Sequence, residues 1–404
     1  MRILLLNQYF PPDAAATATM AAQVARALAS RFAVTVLAGR PSYDPAVRHP
    51  PYLLRREVVD GLMVERVGST AFSRHRMRGR LANYLSYLAL AVARALAVPA
   101  DAVLAMTDPP VAGIAGALVA AVRRRPFVYN IRDLYPDVAV AGGLLRPGPH
   151  TAAWERLHRW ALRRADRVIV LGDDMRERVI GKGVPPERVA VVRDGSPPLP
   201  PPSGDEAVGK AVRGGLRFVV LHAGNIGFAG AWETLVEGVT RADGQGVGLA
   251  FVGDGAERRR LEARRTGDGR IRFLPFFPAA QVPDVLAAGD LHVVTVRRGL
   301  EGAVVPSKLY GILAAGRPVL VVASEAADAA RIVRRYRCGL VADPDSPESV
   351  ATVVRAAMAD RVGLAAMGER ARAAAREFDQ QAQLDRFVKV VEQALAEGGV
   401  EWEV

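Results

Sequence analysis

Two successive series of short β-rich runs, each interleaved with helical stretches, constrain this chain more than any other feature. The first series is Arg2–Leu6, Val34–Ala38, Met63–Val67, Ala102–Met106, Phe127–Asn130 and Arg167–Leu171, with helical stretches such as Ala15–Ala29, Val111–Arg123 and Trp154–Arg164 between them. Apolar runs separated by helices are the sequence form of a parallel sheet covered on both faces. The segment Asp194–Pro202 then reads DGSPPLPPP and leads into a Gly- and charge-rich stretch to Gly215. Proline supplies no ladder hydrogen bond and stiffens a chain, so this segment reads as a linker. A second series follows: Phe218–His222, Leu249–Val252, Ile271–Leu274, Leu291–Val296, Pro318–Val322 and Gly339–Val341. The stretch 380–397 reads as one amphipathic helix. The expectation is an α/β chain of two doubly wound, Rossmann-like domains, 1–198 and 216–379, facing a central cleft. Ligands of such folds bind at the C-terminal ends of the strands.

Composition narrows the classes. With 404 residues, 50% hydrophobic and 24% charged, the chain is globular rather than disordered. Its one cysteine, Cys338, permits no intrachain disulfide and fits a reducing compartment, so a cytoplasmic location is expected. The opening MRILLLNQYF is broken by Asn7 and Gln8 and reads as a buried first strand, not a signal peptide. No apolar run reaches the roughly 18 residues of a membrane span; Leu85–Val98 contains Arg94. The net charge of +12 has no nucleic-acid module beside it, neither zinc spacing nor an aromatic–glycine RNA signature. It leaves an anionic substrate, a membrane surface or scattered surface arginine. The run Arg74, His75, Arg76, Arg78 and Arg80 leads into the apolar stretch 81–98 with Tyr84 and Tyr87. This reads either as an element for a membrane surface and lipid acceptor, at the inner face, or as a core helix with a solvated basic entrance.

Three segments carry chemistry. VLHAGNIG, 220–227, is a strand entering a turn with Gly224, Asn225 and Gly227, and FVGDG, 251–255, is a second such turn with Gly253 and Asp254. Glycine there allows close backbone approach to an anion, although an ordinary β–α turn has the same form. The third is LEGAVVPSKLYGILAAGRP, 300–318. Pro306 and Ser307 suit a helix start, which sets Lys308 in the first turn. A lysine there opposes the helix dipole, a conflict that an anionic ligand removes; a solvated lysine is the plainer alternative. Asp343-Pro344-Asp345 reads as turn and cap residues rather than a metal pair. The six histidines show no metal spacing. No metal is expected. His292 reads as core, and His222, beside the AGNIG turn, is the histidine to keep near a site.

Taken in order, NQYFPPD (7–13), IRDLYPD (131–137), RRADRVIVL (163–171), HAGNIG, VGDG and EGAVVPSKLYGILAAGRPV make the chain resemble the retaining glycosyltransferases of family 4, which have the GT-B fold. Within them it is most similar to the branch of exopolysaccharide and O-antigen sugar transferases, such as those of colanic acid synthesis. The resemblance covers nearly the whole chain. It implies that the second domain binds a nucleoside diphosphate sugar, with Gly224, Asn225 and Gly227 by the diphosphate. Gly253 and Asp254 would line the nucleotide pocket, and Phe276 and Phe277 would meet the base through their backbone. Glu301 and Gly302 would face the donor sugar, and Ser307 and Lys308 the phosphates. The first domain would take the acceptor, with Arg132 and Asp133 in the cleft, and helix 380–397 would cross back to it. Arg132, Asp133 and Glu301 are thus the expected catalytic group, Asp133 orienting the acceptor hydroxyl. The chain departs from the family pattern at Gly311, where the second of two glutamates eight residues apart usually binds ribose. Ala14, Ala15 and Ala16 stand where relatives carry glycines.

The expected activity is retaining sugar transfer in polysaccharide or glycoconjugate synthesis. The nucleotide-sugar is a co-substrate and no cofactor is expected. The partners are that donor and a lipid-linked or small-molecule acceptor, with peripheral membrane contact under the first reading of the basic run and no nucleic acid. Glycosylation of a soluble natural product, nucleotide-sugar epimerisation on the same fold, and a non-catalytic partner subunit stay open. Gly311 favours the last, and Lys308 with the glycine turns opposes it.

Overall fold

The computed structural model describes residues 1–13, 15–41, 52–70, 72, 77–242, 246–264 and 268–397. The chain divides into two compact units. The first comprises Met1–Leu171, Arg176–Val192 and the stretch from Leu384; the second comprises Gly172–Met175 and Arg193–Gln383.

The first unit carries strands β1 (Arg2–Leu6), β2 (Ala33–Gly39), β3 (Leu54–Val59), β4 (Leu62–Val67), β5 (Ala102–Ala105), β6 (Phe127–Asn130), β7 (Arg167–Val170) and β8 (Val189–Val191). Its helices are α1 (Ala16–Ala29), α2 (Met77–Ala97), α3 (Ala112–Arg123), α4 (Asp137–Ala141), α5 (Pro149–Arg164) and most of α6 (Asp173–Gly181). The sheet order is β3-β4-β2-β1-β5-β6-β7-β8, parallel except for the β3–β4 hairpin. β1 and β5 are buried almost throughout because helices cover both faces, which is why they read as unbroken apolar runs. Ile3, Leu5, Val36 and Leu104 pack on Val24, Ala25 and Leu28 of α1 and on Phe387, Val391 and Leu395 of the C-terminal helix.

The second unit carries α7 (Glu206–Arg213), β9 (Phe218–Ala223), α8 (Trp232–Arg241), β10 (Val247–Val252), α9 (Arg258–Arg264), β11 (Ile271–Leu274), α10 (Val282–Ala288), β12 (Leu291–Thr295) and α11 (Lys308–Ala314). It continues through β13 (Val319–Val322), α12 (Asp328–Tyr336), β14 (Gly339–Ala342), α13 (Pro347–Ala359) and α14 (Arg361–Ala375) to the start of α15 (Gln380–Glu397). The sheet is wholly parallel in the order β11-β10-β9-β12-β13-β14. Strand alternation divides its core in two. Phe218 and Val220 of β9 face Leu235, Val239 and Val354, whereas Val219 and Leu221 face Val208, Val212 and Val285.

All twelve strands expected from the sequence are present, with ends shifted by a residue or so. Two more, β3 and β8, were not anticipated. β3 reads LRREVV and is a largely exposed edge, so charge masks its pattern; β8 has three residues. Of the basic run, residues 73–76 and the side chains of Arg78 and Arg80 lie outside the described residues. His292 is core, 1% exposed, with Nε2 3.0 Å from the Leu286 carbonyl oxygen.

Burial, with a smaller push from Lys308 for His222 and Arg317 for His292, lowers both imidazoles to about 3. An unfolded histidine titrates near about 6.5, so below that pH the unfolded chain takes up protons that the fold refuses. Stability is therefore lost as pH falls from about 6.5 toward 3, by about 2 kcal/mol per histidine at a pH of about 5. Urea unfolding across that range should show this slope, to which His158, lowered by burial to about 4, adds a third share, and His292→Gln should remove about a third of it. Equal slopes for the two proteins would mean that His292 is protonated in the fold at no cost.

Candidate functional site

The second sheet reverses its winding between β9 and β12, and ligands of doubly wound sheets bind outside the strand ends at such a point. There the ends of β9, β10 and β11 are stitched backbone to backbone. Gly224 N–H donates to the Val252 carbonyl at 2.7 Å, Ile226 N–H to Asp254 at 2.8 Å, and Gly253 N–H to Leu274 at 3.0 Å. The approach leaves no room for side chains: a Cβ on Gly253 would lie 2.1 Å from the Gly224 oxygen. Gly224 and Gly253 have φ of 132° and 140°, values that glycine alone adopts readily. Asn225 and Asp254 are exposed beside these turns, and Asp254 accepts from its neighbour Gly255 N–H at 2.8 Å. The exposed Phe276 ring reaches over Gly253, while Phe277 packs inward against the α7–α10 side of the sheet. Trp232 Nε1–H donates to the Gly227 carbonyl and fixes the turn from below.

The loop from β12 to α11 completes this end of the unit. Arg297 N–H donates to the Ala229 carbonyl at 2.7 Å, tying the loop to the β9 turn. Glu301 accepts from Gly299 N–H at 2.7 Å through Oε2, and its Oε1 is buried without a hydrogen-bond partner among the described residues. Ser307 stands at the N-cap of α11, exposed, and its hydroxyl makes no cap hydrogen bond. Lys308 is half-buried, not solvated: its stem crosses Gly224 so closely that a Cβ there would lie 2.3 Å from Lys308 Cε. Burial lowers its ammonium below the ordinary lysine value. No carboxylate pairs with it among the described residues. Gly311 lies one turn further on, with open space where a side chain would project.

His222, kept near the site by the sequence, is 2% exposed. Its Nε2 lies 3.3 Å from the Asn225 carbonyl and its ring packs edge-on against Trp232, so it supports the turn from within. Asp343 and Asp345 flank Arg298, which pairs with both. Arg298 and Trp232 were not singled out in the sequence; neither sits in a pattern that distinguishes it from a surface arginine or a core aromatic.

In the first unit the winding reverses between β1 and β5. The residues gathered there are Asn7, Gln8, Thr107, Asn130, Arg132 and Asp133. Arg132 N–H donates to Thr107 Oγ1 at 3.2 Å, and Gln8 N–H to the Asp108 carbonyl at 2.8 Å. Asn7, Gln8, Thr107 and Asn130 are buried polar residues in an otherwise apolar layer. Arg132 and Asp133 are half-buried in the loop between β6 and α4. Asn7 was read as a break in the first strand and as the start of NQYFPPD, not as a site residue, yet polar amides at the end of a buried strand are themselves a signal.

Two family models match the chain in sequence: glycosyl transferase 4-like domain over residues 16–195, and glycosyl transferases group 1 over residues 217–360. A probable glycosyltransferase, WbjE of Pseudomonas aeruginosa, is 26% identical over 260 residues, 63% of this chain and 65% of that protein. A putative colanic acid biosynthesis glycosyl transferase, WcaI of Escherichia coli (strain K12), is 28% identical over 245 residues, 57% of this chain and 60% of that protein. The chain thus aligns with less than two thirds of the length of either relative. Anabaena HepE, solved in complex with UDP-glucose, superposes with a TM-score of 0.71 at 19% identity, covering 98% of this chain and 100% of that one. That likeness is one of fold, two Rossmann-like domains of the GT-B type.

The turn geometry makes a paired prediction. Gly253→Ala brings a Cβ against the Gly224 carbonyl in a backbone conformation alanine avoids, and should cost about 2–4 kcal/mol. Gly311→Ala, inside α11 with nothing near its Cβ, should stabilise by about 0.5–1 kcal/mol. Thermal unfolding of both variants checks this; a Gly253→Ala protein as stable as wild type would refute the close approach.

Proposed function

The chain belongs to the glycosyltransferases that join a glycosyl transferase 4-like domain to a glycosyl transferases group 1 domain, and we propose that it transfers a sugar from a nucleoside diphosphate sugar to an acceptor hydroxyl, with retention of configuration and without a metal ion. The observation that carries this reading is Lys308. A half-buried ammonium with no carboxylate partner, laid across a glycine turn at a topological switch point, is a cation awaiting an anion. A diphosphate there meets its charge and the hydroxyl of Ser307. Glu301 Oε1, buried and without a partner, suits a sugar hydroxyl as donor. In the proposed reaction the bond from the anomeric carbon to the phosphate oxygen breaks, and a bond to the acceptor oxygen forms on the same face. The acceptor proton passes to the departing diphosphate, so the protein supplies position and charge stabilisation. Asp133 and Arg132, at the strand ends of the first unit, are the groups proposed to orient the acceptor.

A lipid-linked acceptor is favoured by one observation. α2 buries Tyr87, Ala91 and Ala95 but exposes Leu81, Leu85 and Leu96, and neighbouring α3 exposes Leu118 and Val122, followed by the exposed Arg124 and Arg125. No helix among the described residues is long and apolar enough to cross a membrane. An apolar helix face edged by arginine in a chain of charge +12 suits the surface of an anionic bilayer. Such a surface would present a lipid-linked sugar of a growing polysaccharide.

UDP and UDP-glucose are the first probes, because solved proteins of this fold hold them. In calorimetry with EDTA present, Lys308→Ala should weaken UDP binding by about 1–3 kcal/mol, the worth of a charged hydrogen bond, in a protein that still folds. Unchanged affinity in the variant, or binding and transfer that require added magnesium, would count against the reading. Co-sedimentation with vesicles tests the acceptor. Binding should require anionic lipid, weaken with salt, and fall when Leu81 and Leu85 become Ser, as it should when Arg74, Arg76, Arg78 and Arg80 do. Absence of binding under all conditions would turn the search to soluble acceptors.

A further inference from the structure

We propose that Asp174 is a positioning residue for the turn carrying Glu301 and Gly302, fixing it for contact with the donor sugar; the sugar contact rests on the reading above. Asp174 lies in the short stretch Gly172–Met175 that belongs with the second unit although Arg176–Val192 of the first unit separates it from the rest in sequence. It is 7% exposed, and its carboxylate accepts three backbone hydrogen bonds. Oδ2 takes Gly302 N–H at 3.0 Å and Asp328 N–H at 2.9 Å, and Oδ1 takes Met175 N–H at 2.7 Å. One oxygen therefore clamps the turn before α11 to the first residue of α12. The backbone presses equally close: a Cβ on Gly302 would lie 2.5 Å from the Asp174 carbonyl oxygen, and Gly302 has φ of 67°.

The choice of a carboxylate is chemically telling. Three donors converge on it, and only an ionised carboxylate offers acceptors in every direction. Asparagine would turn an NH2 against one of those N–H groups. Burial, and then the neighbouring charge of Asp328, push the Asp174 carboxyl up to about 6, against the pull of its backbone donors. A cation would ease that cost, yet Arg193 is spent on Asp328, at 2.6 Å, and on Asp173, at 2.9 Å. A group kept under such conditions holds something in place. What it holds is the residue next to Glu301, whose Oε1 is the buried oxygen without a partner.

The test compares wild type with Asp174→Asn and Asp174→Glu in the full chain. Hydrogen exchange read on peptides covering 299–305 should quicken about tenfold or more in the Asn variant, while peptides of β9 and β10 stay unchanged. UDP-glucose affinity should fall about tenfold, the scale of a lost charged hydrogen bond, and UDP affinity less than about twofold. Asp174→Glu, which keeps the charge, should recover part of the slowed exchange. Unchanged exchange at 299–305 overturns the proposal, and so does an equal loss for UDP and UDP-glucose, which marks general damage. If the Asn variant does not fold, Asp174→Glu decides alone by the same two ratios. Wild type that binds no nucleoside diphosphate or its sugar overturns the donor reading, and the sugar role of Asp174 with it, whatever the exchange shows.

Discussion

The second unit depends on two peptide backbones meeting with nothing between them. Where β9 and β10 end, a Cβ on Gly253 would lie 2.1 Å from the Gly224 oxygen, and one on Gly224 would run into the Lys308 stem. Everything around the candidate site is arranged on that contact. It draws the two turns into one surface, lets the Lys308 stem lie against Gly224, and leaves Trp232 and His222 packed together below. A site whose floor is main chain has little conformational freedom to lose when a ligand arrives, which favours preorganised binding.

Charge is distributed in a way the net figure hides. The arginines that surround the site are nearly all committed: Arg298 to Asp343 and Asp345, Arg193 to Asp173 and Asp328, Arg258 to the carbonyls of Gly253 and Leu274. Lys308 has no such partner among the described residues. An excess of positive charge spread over solvated side chains contributes little to recognition, because water and salt screen it. A single partly desolvated ammonium acts at a shorter range and with a higher effective field.

How much of this was legible in the sequence follows from what burial does to a pattern. The strands of both sheets are covered on two faces, so they appear as apolar runs that few other structures explain, and the alternation with helices follows. β3 escaped because an exposed edge strand carries Arg55, Arg56 and Glu57 where alternation would be sought. The glycine turns were visible because positive φ leaves a residue-level trace. The burial of Lys308 was not legible: a lysine in a first helical turn can be read as anion-holding or as solvated until the neighbouring strand is in place. Asp174 left no trace at all. An acid at the start of a helix is ordinary, and its bonds to Gly302 and Asp328 span 128 and 154 residues.

The route of α15 has a consequence for how the protein comes into being. Its residues Phe387, Val391 and Leu395 complete an apolar layer begun by Ile3 and Leu5, with the whole second unit intervening in the chain. On the ribosome, therefore, the unit whose strands emerge first is also the one that stays unfinished longest. The second unit has all its own residues in hand by Gln383 and is free to close, while the first still shows water a bare apolar strip where α15 will lie. Translation order and completion order run opposite to each other, and the nascent first unit carries a hydrophobic vacancy that its own distant helix fills.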